Sequence, residues 1–86
     1  MMNMIKVRVK FFAMCREAAG CEEAVIVLPA SADAETFWQV IAEKFPRVKV
    51  YQNQSRLALN MEYIAGGAVQ FQNGDEVCII PPVSGG

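Results

Sequence analysis

Residues 73–86 read Asn-Gly-Asp-Glu-Val-Cys-Ile-Ile-Pro-Pro-Val-Ser-Gly-Gly, and this stretch decides the fold. Asn73-Gly74-Asp75 is a strong turn signal. Residues 76–80, which follow it, are nearly all apolar, the pattern of a central strand covered on both faces. Two prolines then end the pairing, because proline has no backbone N–H to donate to a sheet. The stretch predicts a buried strand that leads directly into a short tail.

The tail, residues 83–86, ends on two glycines. Gly85 and Gly86 carry no Cβ atom, so they can enter a slot too narrow for other residues. We expect Gly86 to present a free α-carboxylate. The five residues from Pro82 to Gly86 reach at most about 17 Å when extended, the depth of a substantial active-site channel. The chain is therefore predicted to form a single domain over residues 1–82 and a flexible tail over residues 83–86.

Two strands are predicted at the start of the chain. Apolar residues alternate with basic ones over residues 5–11, which is the period of a strand with one buried face. A β-branched run over residues 24–28 is typical of a second strand. Only residues 15–23 separate the two runs, with a short helical turn stopped by Gly20. We therefore expect the two strands to form an antiparallel pair.

Residues 34–45 show the clearest amphipathic pattern, with apolar residues at steps of three and four. Ser31 or Asp33 can cap this helix by accepting from its free backbone N–H groups. The proline that follows is expected to end it. Phe37 and Trp38 are predicted to pack on the sheet, because a domain this small needs a large apolar helix face.

The rest of the chain completes a mixed sheet. Residues 47–54 are predicted to be an irregular connection, and residues 57–60 and 62–64 to form short strands across a tight bend. The order is then β-β-α-β-(β)-β, an α+β fold with four to five strands and one main helix on one face. The first and last strands can lie parallel at the centre, because the helix-bearing connection permits a crossover. This is the ubiquitin-like β-grasp.

Composition excludes several classes of protein. The net charge is −1 and the Lys and Arg residues are dispersed, so nothing indicates electrostatic capture of nucleic acid. No apolar run approaches the roughly 20 residues of a membrane span, and the N-terminus lacks a signal-peptide pattern. We expect a cytoplasmic protein that binds neither nucleic acid nor membrane.

Apart from the tail, the sequence offers little catalytic chemistry. It has no histidine, which removes the commonest general base. Its three cysteines form no C-x-x-C pair, so reduced thiols and no metal site are expected; they are Cys15, Cys21 and Cys78. The acidic pairs at 22–23 and 75–76 are interpreted as solvated charge, because paired-carboxylate catalysis needs a cleft. The remaining reactive group is the Gly86 carboxylate, which another protein must activate.

Residues 5–20 and 73–86 carry the motifs of a known family. The first contains Phe11-Phe12-Ala13 and Arg16-Glu17, and the second Gly-Asp-Glu-Val followed by Pro-Pro-Val-Ser-Gly-Gly. With these motifs the chain closely resembles the small, sulfur-carrier subunits of molybdopterin synthase, a ubiquitin-like sulfur-carrier family. Residues 30–56 match that family only in pattern.

The resemblance implies a carrier cycle. A ubiquitin-activating-type adenylyltransferase uses ATP to adenylate the Gly86 carboxylate, and a sulfur donor converts it to a thiocarboxylate. The tail then inserts into the large catalytic subunit, where sulfur passes to cyclic pyranopterin monophosphate in molybdopterin (molybdenum cofactor) biosynthesis. The chain itself would be non-catalytic, bind no cofactor or metal, and form a heterotetramer with the large subunit.

The resemblance also implies a partner-binding face near the base of the tail. That face comprises apolar residues of the domain and the residues that lead into the two glycines: Phe12, Tyr63, Ile80, Pro81, Pro82, Val83 and Ser84. Three alternatives stay open: a carrier for thiamine thiazole or tRNA thiolation, a ubiquitin-like protein modifier, and a β-grasp interaction module with no covalent role. The first two share Gly-Gly but generally lack the Pro-Pro-Val-Ser before it.

Overall fold

The computed structural model describes residues 3–64 and 69–82. The elements in chain order are β1 (Met4–Phe11), α1 (Ala13–Ala19), β2 (Glu23–Pro29), α2 (Ala34–Lys44), α3 (Pro46–Lys49), a 3-10 turn (Gln52–Gln54), β3 (Arg56–Leu59), β4 (Glu62–Tyr63) and β5 (Glu76–Ile80). Within these ranges no helix is long and apolar enough to cross a membrane.

The five strands form one mixed sheet in the order β2-β1-β5-β3-β4. Strand β1 pairs antiparallel with β2, and β5 lies between β1, to which it is parallel, and β3, to which it is antiparallel. The predicted initial hairpin and the predicted central parallel pair are both confirmed. Because β5 is hydrogen-bonded on both sides, its C-terminal end is held firmly, and the architecture is the expected β-grasp.

The core lies between α2 and the inner face of the sheet. Phe37, Trp38 and Ile41 of α2 are buried, and they belong to one apolar cluster with Val77 and Ile79 of β5. The prediction that the Phe37/Trp38 face packs on the sheet is confirmed.

The prediction that β5 is a buried central strand is confirmed, but its two faces are buried differently. Val77 and Ile79 point into the core, whereas Cys78, although buried, is not part of the core cluster. Side chains alternate along a strand, so Cys78 lies on the opposite, outer face. That face carries the exposed Val25 and Val27 of β2. Among the described residues, this outer face is therefore partly exposed.

The connection after α2 is more regular than predicted. Asp33 caps α2, and its carboxylate accepts from the Thr36 N–H at 2.9 Å. Pro46 does follow the end of α2, but it also begins α3 as the first helical residue. Proline is favoured there because the N–H it lacks has no partner inside the helix. The expectation of an irregular segment over residues 47–54 is wrong for this reason.

A hydrogen-bonded bend ties β3, β4 and β5 together. Asn60 and Met61 both have positive φ, +48° and +74°, as in the two-residue turns that suit β-hairpins. The Asn60 amide donates to Asp75 Oδ1 at 3.0 Å and accepts from the Glu76 N–H at 3.0 Å. Asp75 also accepts from the Gln72 N–H at 2.7 Å. Asp75 is thus a structural residue, and the prediction that it is merely solvated charge is wrong.

Replacing Asn60 is expected to destabilise this bend. Asn60→Ala loses two hydrogen bonds worth about 1 kcal/mol each. It also places alanine at positive φ, where no side-chain hydrogen bond offsets the unfavourable backbone conformation, and this costs about 1 kcal/mol more. We expect its free energy of unfolding in urea to fall by about 2–3 kcal/mol. Asn60→Gly avoids the backbone term and should lose about 1 kcal/mol less.

Asn53, exposed in the 3-10 turn, supplies the matched control. Asn53→Ala should change the free energy of unfolding by no more than about 0.5 kcal/mol. An Asn60→Ala protein as stable as Asn53→Ala would show that the bend contributes nothing to stability.

Candidate functional site

An open groove of about 450 Å³ lies on the outer face of the sheet beside the end of β5. Its apolar lining comes from β3, β4, β5 and the two connections beside them: Phe12, Ala58, Met61, Tyr63, Cys78 and Ile80. We call this feature the Ile80 groove. The structure thus brings together three residues, 12, 63 and 80, that are far apart in sequence.

The register of the sheet explains this grouping. Cys78 pairs with Ala58, and Ala58 pairs with Tyr63, so the three form one row across β5, β3 and β4. Ile80 is two residues further along β5 and therefore on the same face. Phe12 directly follows Phe11, which pairs with Ile79. The small side chains of Ala58 and Cys78 leave room between larger ones.

Phe12 lies at the surface, at a position where the local fold does not call for an aromatic residue. It occupies the N-cap position of α1, yet its side chain can make no capping hydrogen bond, and Ser, Thr, Asp or Asn is preferred at such a position. Phe12 is 44% exposed, and Tyr63 is 58% exposed. The next residue, Ala13, has φ +50°, a left-handed conformation that costs an alanine about 1 kcal/mol. An exposed apolar cluster at a strained turn is typical of an interaction site.

One side of the groove is charged. Lys10 and Glu76 also line it, and their side chains form an ion pair with Nζ and Oε2 3.2 Å apart. Arg8 approaches the same carboxylate oxygen at 3.8 Å. Glu76 is only 19% exposed, so this carboxylate is engaged by two cations rather than free in solvent. The prediction that the 75–76 pair is solvated charge is wrong for Glu76 as well.

The three cysteines, Cys15, Cys21 and Cys78, are free in the structure. Cys15 lies in the core, and burial raises its pKa. For Cys78, burial and the nearby Glu76 charge both raise the pKa. Both thiols are therefore protonated at neutral pH and are weak nucleophiles. Cys78 is buried, as predicted, but it lies apart from the main apolar cluster and lines the groove.

Some of the predicted site residues lie outside the part of the chain that the structure describes. They are Val83, Ser84, Gly85 and Gly86, the whole of the predicted tail. Of the two residues that precede them, Pro81 is buried and Pro82 is exposed. The described chain therefore reaches the surface at Pro82, next to the groove that Ile80 lines. In the described ranges, no cluster of His, Cys, Asp or Glu could hold a metal ion.

Sequence reasoning missed part of the groove. Met61 is the most exposed of the large apolar residues described, and its place in a tight turn is a signal that could have been noticed, because turns favour small polar residues. The Lys10–Glu76 pair gave no such signal, since it depends on the parallel register of β1 and β5.

Comparison with known proteins gives three consistent findings. The ThiS family matches this chain over residues 9–86. The molybdopterin synthase sulfur carrier subunit of Homo sapiens is 33% identical over 88 residues, covering 100% of both chains. In a complex of subunits 1 and 2 of the molybdopterin-converting factor from Helicobacter pylori, a similar chain superimposes with a TM-score of 0.71. It is 27% identical, and 95% of this chain and 100% of that one are covered.

A further solved structure is also similar. The small archaeal modifier protein 1 of Methanosarcina acetivorans superimposes with a TM-score of 0.76 and 28% identity, and 98% of this chain and 99% of that one are covered. The fold is thus shared by a subunit of a molybdopterin-converting factor and by a protein named as a modifier.

Proposed function

This chain belongs to the ThiS family, among the sulfur carrier subunits of molybdopterin synthase, and from that premise we propose that the Gly86 carboxylate carries the sulfur. An activating enzyme joins this carboxylate to the α-phosphate of ATP and releases pyrophosphate. A sulfur donor then displaces AMP from the acyl-adenylate and leaves a thiocarboxylate. Because Gly85 has no side chain, the reacting carbon can enter a narrow channel.

Support for Gly86 comes from both sequence and chemistry. The match to the human sulfur carrier subunit runs over the full length of both chains and therefore includes Gly85 and Gly86. The chain has no histidine, and the thiols of Cys15 and Cys78 have pKa values raised by burial. The carrier therefore acts without catalytic residues of its own, ATP is used by the activating enzyme, and no cofactor is held.

The partner that accepts the sulfur is the large subunit, which docks on the Ile80 groove. One observation supports this most directly: Ile80 both lines the groove and ends the central strand that leads to the tail. A partner seated on Phe12, Tyr63 and Ile80 would meet the root of the tail and could receive residues 83–86 in its active site. The Helicobacter pylori complex of subunits 1 and 2 supports such an assembly. Sulfur then passes to cyclic pyranopterin monophosphate within a heterotetramer.

A second candidate function is favoured by one observation, the similarity to an archaeal modifier protein. In that role the activated Gly86 carboxyl would be joined to a lysine amine of a target protein rather than to sulfur. The two roles differ in product: one yields a thiocarboxylate on the free carrier and the other an isopeptide bond to a second chain.

Intact-mass analysis separates these roles. The protein is incubated with ATP, an activating enzyme of the adenylyltransferase class and a sulfur donor. We expect one oxygen to be replaced by one sulfur, and fragmentation to confine the change to the C-terminal peptide. Sulfur found on a cysteine, or covalent conjugates to other proteins without a thiocarboxylate, would contradict the proposal.

A further inference from the structure

Positive charge is concentrated on the outer face of the sheet. Lys6, Arg8 and Lys10 alternate with buried residues along β1, so their side chains share the outer face. We call these three residues the basic strip. The chain as a whole has a net charge of −1, so a row of three cations means that its positive charge is unevenly distributed.

The acidic residues on this face neutralise it only in part, because Glu76 pairs with both Lys10 and Arg8. In the described parts of β1, β2, β3 and β5, two carboxylates share the face: Glu76, and Glu23, which pairs with Lys10. Arg56 adds a fourth cation on the far side of the groove, where its guanidinium lies 4.4 Å from the centre of the Tyr63 ring. The apolar groove is therefore flanked by cations on both sides.

Aliphatic side chains lie beside the strip. Lys6 pairs with Val27 and Arg8 with Val25, and these valines are 42% and 59% exposed. The strip thus offers apolar contact area as well as charge. It also continues from the groove without a break, because Lys10 belongs to both.

The groove is too small to hold a partner alone. A stable interface buries about 800 Å² per partner and takes about 20–30 residues from each side, whereas eight residues line the groove. A partner seated on it must extend onto the adjoining surface. On the β1 side of the groove, that surface is the basic strip.

Resting on the proposed docking of the large subunit, we infer that this subunit lays an acidic surface on the basic strip when it occupies the Ile80 groove. Carboxylates of the partner face Lys6, Arg8 and Lys10, and aliphatic side chains contact Val25 and Val27. Complementary charge of this kind raises the association rate and rejects partners of the wrong sign, and its effect falls as salt screens it. The strip therefore selects the partner, while the apolar groove supplies most of the affinity.

The test is the affinity of the large subunit of the same synthase, purified, for matched charge variants. Lys6→Gln with Arg8→Gln removes two charges from the strip. Arg47→Gln with Lys49→Gln removes two exposed charges from α3, on the helical side. At about 0.05 M salt we expect the strip variant to bind about tenfold more weakly and the α3 variant to bind as the unchanged protein does. At about 0.5 M salt the difference should shrink to less than about twofold.

Several results would overturn the inference. The two variants could bind the large subunit with equal affinity, or the binding of the unchanged protein could be insensitive to salt. The strip variant could also lose self-association or nucleic-acid binding while it still binds the large subunit. Failure of the proposed function would look different: the unchanged protein would neither form a thiocarboxylate nor bind the large subunit. If it does both and the strip variant binds normally, only the inference about the strip fails.

Discussion

Deleting Gly86 is expected to abolish sulfur loading and to leave the folded domain unchanged. The shortened chain still ends on a glycine carboxylate, but that carboxylate is withdrawn by up to about 3.5 Å. A displacement of about 1 Å at a reacting centre can already cost about a hundredfold in rate. We therefore expect the rate of thiocarboxylate formation, followed by intact mass, to fall at least a hundredfold. Activity in the full synthase should fall with it.

Two further variants make this test specific. Deleting Met2 shortens the chain by one residue at the opposite end and should leave the loading rate unchanged. Gly85→Val keeps the length but adds a branched Cβ, and it should fold normally yet load slowly because the slot is blocked. Loading of the Gly86 deletion at the normal rate would show that the position of the carboxylate does not matter. Normal loading of Gly85→Val would show that the approach to it is not narrow.

Much of the fold follows from local pattern. The alternation over residues 5–11 and the apolar run over residues 76–80 each mark a strand, and steps of three and four mark α2, because each periodicity leaves one face to bury. The parallel pairing of β1 with β5 is permitted, though not dictated, by the long connection between them. What covers the outer face of β5 could not be predicted, because an apolar run does not reveal whether a second layer lies above it.

The remaining errors have similar physical causes. Pro46 both follows one helix and begins another, and only three-dimensional packing shows that the chain continues as α3. Asp75 looks like surface charge in sequence, and its role depends on Asn60, fifteen residues away. Local sequence patterns show the periodicity of a helix or strand and the residues that end it. The partners of a side chain depend instead on how elements distant in sequence pack together.

The candidate site was still harder to predict from pattern alone. Phe12, Tyr63 and Ile80 were proposed from a family resemblance, and no periodicity connects them. They meet because the sheet order places β5 between β1 and β3. The same register brings Glu76 to Lys10. Phe12 could have been singled out on physical grounds, because an aromatic side chain at the predicted start of a helix is a poor cap.

That poor cap allows a variant that separates binding from stability. Phe12→Ser removes the exposed ring from the Ile80 groove and places a favoured capping residue at the start of α1. The cap should add about 1 kcal/mol of stability, which offsets the apolar burial lost with a residue that is already 44% exposed. We expect the free energy of unfolding in urea to change by less than about 1 kcal/mol. Affinity for the large subunit should fall about thirtyfold or more, as for loss of a central aromatic contact worth about 2 kcal/mol.

Val50→Ser is the matched control, because Val50 is an exposed apolar residue at the C-terminal end of α3. It lies outside the Ile80 groove and should leave affinity for the large subunit unchanged. Titration calorimetry with the purified large subunit measures both variants. Equal affinities would mean that Phe12 is not part of the interface, whereas a stability loss of several kcal/mol would mean that it belongs to the core. A fall in affinity at constant stability would establish that this aromatic residue is kept at a helix cap for its partner and not for the fold.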